Sequence, residues 1–327
     1  MTDELGERYD VVVAGGGAAG LSGALMLARV RRTVAVIDGG APRNAPAGGV
    51  HGLLGHDGVP PAELLARGRA EVRGYGGHVV DGEVAGAERD GDGFAVTLTD
   101  GRVTRARRLL VATGLVDELP DVPGIRERWG RDVLHCPYCH GWEVRDTAIG
   151  VLAGGPMSVH QALLFSGLSD DVAFFVHEAT LPDGDAEQLR ARGVRVVEGA
   201  VAALEIADDR IAGVRLATGE LVARDALVVA PRMVARAGFL AALGLDAEPH
   251  PSGVGDRVPS ETAGVTAVPG VWVAGNVTDM TAQVGAAAAQ GALAGAHINA
   301  DLVAEETRAA VAAAGALAHG GRRTVRG

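Results

Sequence analysis

A glycine-rich turn between a buried strand and a helix constrains this chain more than any other feature. The apolar run Tyr9–Ala14 is typical of a buried parallel strand, and the turn Gly15–Gly20 has the spacing Gly-x-Gly-x-x-Gly. A helical stretch, Leu21–Arg31, then leads to a second strand, Thr33–Asp38. In such a unit the glycines let the backbone approach a pyrophosphate, and the helix N-terminus stabilises the negative charge of the phosphates. Asp38 is at the position where an acidic residue binds a ribose hydroxyl. The pattern predicts a dinucleotide-binding lobe; the alternative is a glycine turn without a ligand.

A weaker copy of this unit follows in the second half of the chain. Ala148–Ala153 predicts a strand, Gly154–Pro156 a turn, and Ser158–Gly167 a helix. The prolines and glycine of 120–124 are interpreted as a hinge. The two units predict the α/β class, with two Rossmann-like three-layer lobes and the second inserted within the first. The other predicted elements are helices Pro61–Tyr75 and Gln283–Glu305, hairpin strands Phe94–Thr99 and Arg102–Arg105, and strands Leu109–Val111, Val172–Val176, Val194–Glu198, Ala203–Ala207, Ile211–Leu216, Leu227–Ala230 and Val271–Ala274.

Composition narrows the class of protein further. The 327 residues suffice for about two domains. The formal net charge of −11 argues against nucleic acid and anionic membranes as partners. All 30 basic residues are arginine, which excludes Schiff-base chemistry by a lysine. No apolar run is long enough to span a bilayer, and the acidic N-terminus is unlike a signal peptide, so we expect a cytoplasmic protein.

The two cysteines form one Cys136-Pro-Tyr-Cys139 motif, flanked by His135 and His140. Two thiols at this spacing can close into a disulfide and exchange electrons as a pair, and a nearby imidazole can take a thiol proton. A zinc site is the alternative, but four adjacent ligands would be crowded around one tetrahedral ion, so no metal is expected. An inert structural pair is the other alternative. Of the remaining histidines, His51 follows a glycine-rich loop and could reach a cofactor; surface or structural roles are expected for His56, His78, His160, His177, His250 and His297.

The second glycine turn lacks features that a nicotinamide cofactor needs. Gly154-Gly155-Pro156 does not have the Gly-x-Gly-x-x-Gly spacing, and Pro156 removes a backbone N–H donor from the turn. At the end of the next strand stands Glu178, which would repel a 2′-phosphate, whereas an arginine would bind it. Binding of NADPH in this lobe is therefore doubtful, and NADH remains open.

Taken in order, these features make the chain resemble the thioredoxin reductase family of two-domain flavoproteins. The landmarks are Gly15–Gly20 with Asp38, Ala112-Thr113-Gly114, the cysteine pair, and Val273-Ala274-Gly275-Asn276. The resemblance implies a lobe for FAD built from 1–115 and 232–306, an inserted lobe 116–231 that carries the cysteines, and a C-terminal tail, 307–327, which is expected to fray. It also implies a homodimer. The cofactor-binding residues carried over are Gly15, Gly17, Ala18 and Ala19 at the pyrophosphate, Asp38 at the ribose, Arg43, Asn44, His51, Val84, Thr113 and Gly114 along the cofactor, and Gly275, Asn276, Gln283 and Val284 at the ribityl chain and flavin edge.

By the same resemblance Cys139 faces the flavin and Cys136 exchanges with the substrate. Three departures from the family's usual pattern are Asn276 in place of an aspartate, His140 in place of the acid after the second cysteine, and the spoiled second turn. These departures are similar to those of FAD-dependent dithiol oxidases, which close disulfides in small sulfur-rich products of the holomycin and gliotoxin type.

Three functions are therefore weighed. The first is a dithiol oxidase, in which a small-molecule dithiol reduces the cysteine pair with help from His140, and oxygen takes the electrons as hydrogen peroxide. The second is a reductase that passes electrons from a nicotinamide cofactor or another reduced carrier to a thioredoxin-like protein. The third is a non-catalytic flavoprotein that binds or senses redox partners. The intact cysteine pair and the defective second turn favour the first.

Overall fold

The computed structural model describes the backbone of residues 2–320 and the side chains of residues 2–315. Its strands, in chain order, are β1 Arg8–Ala14, β2 Val34–Asp38, β3 His78–Asp81, β4 Val84–Asp90, β5 Gly93–Leu98, β6 Val103–Val111, β7 Leu115–Glu118, β8 Val133–Leu134, β9 Ile149–Leu152, β10 Val172–Phe175, β11 Arg195–Val197, β12 Val201–Ala207, β13 Arg210–Leu216, β14 Leu221–Val222, β15 Ala226–Val228, β16 Arg232–Ala235, β17 Glu248–Pro249, β18 Gly255–Arg257 and β19 Val271–Val273. Its α-helices are α1 Ala18–Arg29, α2 Pro61–Gly74, α3 Ile125–Arg128, α4 Pro137–His140, α5 Ser158–Phe165, α6 Asp183–Ala191 and α7 Val284–Gly320. Short 3₁₀ helices span Trp142–Val144, Gly238–Leu243, Thr262–Gly264 and Gly275–Val277.

The first lobe is organised by a seven-stranded sheet with β3, β2, β1, β6, β5 and β4 in that order. Strand β19 also joins this sheet, beside the second half of β6, so the sheet combines the two ends of the chain. Strands β3, β2, β1, β6 and β19 run parallel. Because parallel strands end at the same edge, the segments after β1, β2, β6 and β19 meet there.

The parallel strands of this sheet are buried on both faces, as their continuous apolar sequences predict. Val12 and Ile37 belong to the apolar core on one face, whereas Val13 and Val36 belong to the core on the other, because successive side chains point to opposite faces. The second face is covered by helices α1, α2 and α7. The first is covered by the β4–β5 hairpin and by residues 235–258.

Helices α1 and α7 cross in unusually close contact, which small residues make possible. A Cβ on Gly291 would lie 1.9 Å from the carbonyl oxygen of Ala19, and one on Gly295 would lie 2.7 Å from that of Gly23. A Cβ on Gly23 would in turn lie 2.9 Å from the carbonyl oxygen of Gly291. Any larger side chain at these positions would separate the helices, so the glycines fix α7 against the helix that follows the first turn.

The second lobe is organised by a five-stranded parallel sheet with β11, β10, β9, β15 and β8 in that order. The cysteine motif follows its edge strand β8, and the second glycine turn follows β9, two strands away. A three-stranded antiparallel sheet, β12–β13–β14, packs beside it through Leu204, Val214 and Leu216. The α/β class with two Rossmann-like lobes, predicted from the two strand–turn–helix units, is therefore confirmed.

The two connections between the lobes are paired rather than free. Strand β7 leaves the first lobe and lies antiparallel to β16, which returns to it, and β18 and β17 extend this four-stranded sheet. The break predicted at 120–124 follows directly after β7. The pairing holds the two crossings side by side at the edge where both lobes present the ends of their strands.

Several local predictions need correction. Helix α7 extends beyond the predicted end at Glu305 as far as Gly320, because its alanines have the highest helix propensity. The fraying expected from Thr307 stays a prediction, and residues 321–327 lie outside the described part of the chain. Leu109–Val111 is the second half of β6 rather than a separate strand. The predictions also missed β3, β4, β7, α6 and β16 to β18, whose short or polar sequences carry weak periodicity.

Candidate active site

A cavity of about 1660 Å³ is lined by the segments that follow β1, β2, β6 and β19 in the first lobe and β8 and β9 in the second. Ligand pockets commonly measure about 300–1,000 Å³, so this one has room for a large cofactor and a second ligand. Every residue predicted as catalytic or cofactor-binding lines it. They are Gly15, Gly17, Ala18, Ala19, Asp38, Arg43, Asn44, His51, Val84, Thr113, Gly114, His135, Cys136, Cys139, His140, Gly275, Asn276, Gln283 and Val284.

The first glycine turn presents bare backbone to the cavity. Gly15 has a φ of +109°, and a Cβ there would lie 2.3 Å from the carbonyl oxygen of Ala112, so the turn requires glycine. Gly17 has no atom within 4 Å of the place that its Cβ would take. Helix α1 starts directly after it, and no side chain caps its first N–H groups. This cradle fits a pyrophosphate, which would reach both the backbone donors and the helix N-terminus.

Asp38 at the end of β2 is held by two partners. Its Oδ2 accepts hydrogen bonds from Arg69 Nε at 2.9 Å and Nη2 at 2.6 Å, and its Oδ1 accepts one from the N–H of Gly40 at 2.9 Å. An ionised carboxylate has about four lone-pair sites, so these contacts leave capacity for a ribose hydroxyl. Arg69 therefore supports the predicted ribose site from helix α2, 31 residues away along the chain.

Arg43 lies at the junction of the two lobes. Its Nε and Nη2 donate to the two carboxylate oxygens of Asp117 on β7, at 2.8 and 2.7 Å, and its Nη1 reaches the carbonyl oxygen of Met280 at 3.4 Å. The Asp117 side chain is only 5% exposed, so this is a buried pair with two parallel hydrogen bonds. The Arg43 side chain is thereby fixed between a cofactor-side loop and the connection between the lobes.

The cysteines lie at the start of a single helical turn, α4, immediately after β8. Their Sγ atoms are 2.7 Å apart, close enough for a bond to form with little movement. The thiol of Cys139 donates to Cys136, and with the N–H groups of Cys139 and Tyr138 and the charge of Arg43 it lowers the pKa of Cys136 to about 6, against the effect of burial. The same contact and burial raise the pKa of Cys139. Cys136 is therefore the thiolate of the reduced pair.

His140 directly follows Cys139 and lines the cavity. Burial lowers its pKa below the ordinary histidine value, although the charge of Glu143 opposes this effect. Its imidazole is therefore neutral at pH 7. Its Nε2 is buried and has no hydrogen-bond partner among the described residues. His51 Nε2 lies 3.5 Å from Glu143 Oε1, so a loop of the first lobe contacts the segment that carries His140.

His135 is more constrained than His140. Its Nδ1 lies 3.2 Å from the carbonyl oxygen of Val229, and Gln161 Nε2 lies 3.1 Å from the same nitrogen. Gln161 also donates to the His135 carbonyl oxygen at 2.9 Å. Burial lowers the pKa of His135. Since its ring is tied to β15 and α5, His140 is the better candidate for proton transfer.

The backbone N–H groups of the second glycine turn are hydrogen-bonded to the first residue of the helix that follows it. Ser158 Oγ accepts hydrogen bonds from the N–H groups of Gly154 and Gly155, both at 3.1 Å. Pro156 has no N–H to offer. At the end of β10, His177 Nδ1 accepts the N–H of Val201 at 2.9 Å and so serves the lobe's own backbone. The N–H groups of the two glycines in this turn are thus already satisfied.

The segment that follows β19 carries the residues predicted at the ribityl chain and the flavin edge. Gly275 and Asn276 follow β19 in a 3₁₀ turn, and Gln283 precedes the first residue of α7, Val284. Beside them, Thr113 Oγ1 donates to the carbonyl oxygen of Arg236 at 2.6 Å. The N–H of Arg236 in turn donates to the carbonyl oxygen of Gly114 at 3.0 Å.

Several residues of this region were not predicted from the sequence. Arg69 and Asp117 are paired with residues far away along the chain, and no local sequence pattern predicts such pairs. Ser158 is the first residue of α5, and its hydroxyl accepts N–H groups from the turn before the helix, so the capping pattern did not predict this contact. His160 and His250, expected in surface or structural roles, also line the cavity.

The described residues contain no cluster of three or more histidine, cysteine, aspartate or glutamate side chains that could hold a metal ion. None of their helices is long and apolar enough to cross a bilayer.

Comparison with known proteins gives consistent matches over nearly the whole chain. The family model described as pyridine nucleotide-disulphide oxidoreductase matches residues 9–292. A protein named thioredoxin reductase tcpT from Claviceps purpurea (strain 20.1) is 32% identical over 90% of this chain and 95% of its own length. Thioredoxin reductase sirT from Leptosphaeria maculans is 32% identical over 89% and 93%. The crystal structure of HlmI superposes with a TM-score of 0.90 and 48% identity, covering 97% of this chain and 99% of that one.

Proposed function

Because the chain belongs to the pyridine nucleotide-disulphide oxidoreductase family, and is therefore a flavin-dependent enzyme, we propose that it oxidises small-molecule dithiols to disulfides with FAD as cofactor. The observation that carries this proposal is the contrast within one cavity. A dinucleotide turn with open donors and a redox-competent cysteine pair line it together, while the turn that would bind a nicotinamide cofactor is closed by Ser158 and Pro156. Electrons then enter through the cysteines.

The residues of the first lobe fit FAD. Gly15 and Gly17 would hold the pyrophosphate at the start of α1, and Asp38, steadied by Arg69, would bind the ribose. Gly275, Gln283 and the other predicted residues of that edge would face the ribityl chain and the flavin. When bound, the flavin supplies a two-electron acceptor that oxygen can reoxidise, with hydrogen peroxide as the product.

The first step is attack on the Cys136–Cys139 disulfide. His140 takes the proton of one substrate thiol, and the resulting thiolate attacks Sγ of Cys136. The bond between the two cysteines breaks, and Cys139 leaves with the electron pair. A mixed disulfide between the substrate and Cys136 remains.

The second step releases the product. The other substrate thiol gives its proton to the Cys139 thiolate, whose raised pKa favours protonation, and attacks the substrate sulfur of the mixed disulfide, so that Cys136 leaves as a thiolate. The lowered pKa of Cys136 favours this step, because a thiol of lower pKa is the better leaving group. The substrate has lost two electrons and two protons, and the two electrons now reside on the cysteine pair.

Anaerobic reduction of the bound flavin tests the proposal. The purified yellow protein is mixed separately with excess dithiothreitol, NADPH and NADH, and the flavin absorbance is followed. We expect bleaching by the dithiol alone. On admission of air, one hydrogen peroxide should form per dithiol oxidised, and the colour should return when the dithiol is consumed. A Cys136→Ser variant is the control and should not bleach with the dithiol. Bleaching by either nicotinamide as rapid as that by the dithiol would overturn the proposal.

A second candidate function is reduction of a thioredoxin-like protein. The names of the relatives tcpT and sirT favour it. It requires electrons from NADPH, NADH or another reduced carrier, so bleaching by a nicotinamide followed by reduction of thioredoxin would select it. A cytoplasmic location and a homodimer belong to the proposal and are checked by fractionation and by light scattering.

A further inference from the structure

The side chain of Asn276 is hydrogen-bonded to a neighbouring loop. Its Nδ2 donates to the carbonyl oxygens of Asp279 at 2.9 Å and Ala282 at 2.9 Å, and lies 3.4 Å from that of Met280. Carbonyl oxygens only accept, so the atom that faces them must be the amide nitrogen. The loop Asp279–Ala282 therefore needs a donor at position 276.

The same loop is tied at its other side by a second set of contacts. Asp279 Oδ1 accepts the N–H and hydroxyl of Thr281, and its Oδ2 accepts Gln290 Nε2 at 2.9 Å. The Gln290 Oε1 in turn accepts the N–H of Gly275 at 2.9 Å. The loop is thus closed between the end of β19 and the second turn of α7.

The position of this loop decides where α7 begins. Ala282 directly precedes Gln283, and α7 starts at Val284; both Gln283 and Val284 line the cavity. A shift of the loop would move the helix N-terminus, which carries a partial positive charge and lies at the cavity. The amide of Asn276 therefore affects the cofactor site indirectly, by holding the loop that leads into α7.

We propose that Asn276 is a positioning residue, whose side-chain N–H₂ group holds the loop Asp279–Ala282 so that Gln283 and the start of α7 face the cofactor. This inference rests on the proposed flavin site, but not on the identity of the substrate. It differs from the role expected by resemblance, in which residue 276 contacts the ribityl chain. Its nitrogen serves the loop, which leaves Oδ1 as the atom available to the cofactor.

An aspartate at this position would behave differently from an asparagine. A carboxylate would set its oxygens against three carbonyl oxygens, and it becomes a donor only when it takes up a proton. The charged groups that face it are Asp279 in the loop and the Arg43–Asp117 pair beside Met280. Asp279 repels a second carboxylate, and Arg43 is already neutralised by Asp117. The aspartate variant should therefore keep the loop at low pH and lose it as the pH rises.

The test compares Asn276→Asp, Asn276→Ala and Asn299→Asp holoenzymes. Asn299 lies on α7 and does not line the cavity, and its Oδ1 accepts Arg32 Nε, so a carboxylate suits it and it is a matched control. FAD release on dilution is measured from flavin fluorescence at pH 5.5 and pH 8.0, together with the midpoint of thermal unfolding. We expect Asn276→Asp to hold FAD roughly tenfold more weakly at pH 8.0 than at pH 5.5, relative to the parent. Asn276→Ala should be weakened equally at both, and Asn299→Asp unchanged.

Other outcomes overturn the inference. If Asn276→Asp holds FAD as the parent does at pH 8.0, the donor is not required. If the aspartate and alanine variants show the same loss at both pH values, the residue acts by its size alone. If Asn276→Asp fails to fold even at pH 5.5, a protonated carboxyl cannot replace the amide, and the hydrogen-bond account is wrong. Should the parent bind no flavin, the proposed function fails separately, and the unfolding midpoints at the two pH values still decide the role of the loop.

Discussion

The two glycine turns of this chain occupy equivalent places, each after a buried parallel strand and before a helix, yet they differ in what their backbone donors meet. At the first turn, no atom lies within 4 Å of the place that a Cβ on Gly17 would take. At the second, Ser158 accepts the N–H groups of Gly154 and Gly155, and Pro156 has none. The comparison teaches that a strand–turn–helix unit determines where a ligand site lies, whereas a few side chains determine whether it is open.

The largest expected effect comes from closing the first turn. Gly17 has an ordinary extended backbone, with φ −80° and ψ −174°, so a Gly17→Val protein should fold. Its side chain would project into the cavity where the pyrophosphate belongs. We expect flavin affinity to fall by roughly 100-fold, which corresponds to about 2.7 kcal/mol. Flavin fluorescence on dilution measures this loss.

The matched substitution in the second turn is Gly155→Val. A Cβ at Gly155 would meet only the Ala230 side chain, at 3.6 Å, which is ordinary contact. Flavin affinity and dithiol-driven bleaching should both stay at the level of the parent. Equal loss of flavin from the two valine variants would remove the distinction between an open and a closed turn.

An effect of at most the same size, on rate instead of affinity, is expected from the proposed base in the second lobe, His140. His140→Gln should slow flavin reduction by a dithiol by up to roughly 100-fold at pH 7. Because burial lowers the pKa of His140, the neutral base persists below pH 6.5 and is lost only as the pH falls through that lowered value. In the variant the rate should instead rise with pH until the substrate thiol ionises by itself, near pH 8.5.

Stopped-flow absorbance from pH 5 to pH 9 measures both profiles. His160→Gln is the matched control, since His160 also lines the cavity but lies outside the proposed proton transfer. The control should keep the profile of the parent. If the His140 and His160 variants gave the same profile, the base would have to be sought elsewhere.

The smallest effect is expected from opening the second turn. Ser158→Ala removes the acceptor of two N–H groups and should destabilise the protein by about 1–2 kcal/mol, lowering the unfolding midpoint by a few degrees. Ser166→Ala, which removes one hydroxyl contact with the Leu163 carbonyl oxygen, is the control and should cost less. Calorimetry measures both.

Nicotinamide binding should not appear in Ser158→Ala, because Pro156 still lacks an N–H. The double variant with Pro156→Gly restores all the donors of the turn and sharpens the comparison. Flavin bleaching by NADH in the double variant alone would show that these two residues close the lobe. Rapid bleaching by NADH in Ser158→Ala alone would show that the proline is irrelevant.

The sequence predicted the parts of the site that depend on short segments, and missed those that depend on distant pairs. The first turn and the cysteine motif are each a contiguous segment that could be recognised locally, although they follow strands of two different sheets. The pairs Arg69–Asp38 and Arg43–Asp117 join residues 31 and 74 positions apart, so no local periodicity reports them. The extension of α7 beyond Glu305 was not predicted, although alanine has the highest helix propensity.

The way the first sheet is assembled also sets an order for biosynthesis. Strand β6 ends at Val111, but its neighbour β19 begins only at Val271, about 160 residues later. At about 5–20 residues per second, a ribosome needs roughly 10–30 s to cover that distance. During this interval the second lobe, whose sheet lies wholly between the two, can fold while the cofactor lobe still lacks β19 and α7. The nascent chain therefore carries its reactive thiols before it can hold the flavin that will govern them.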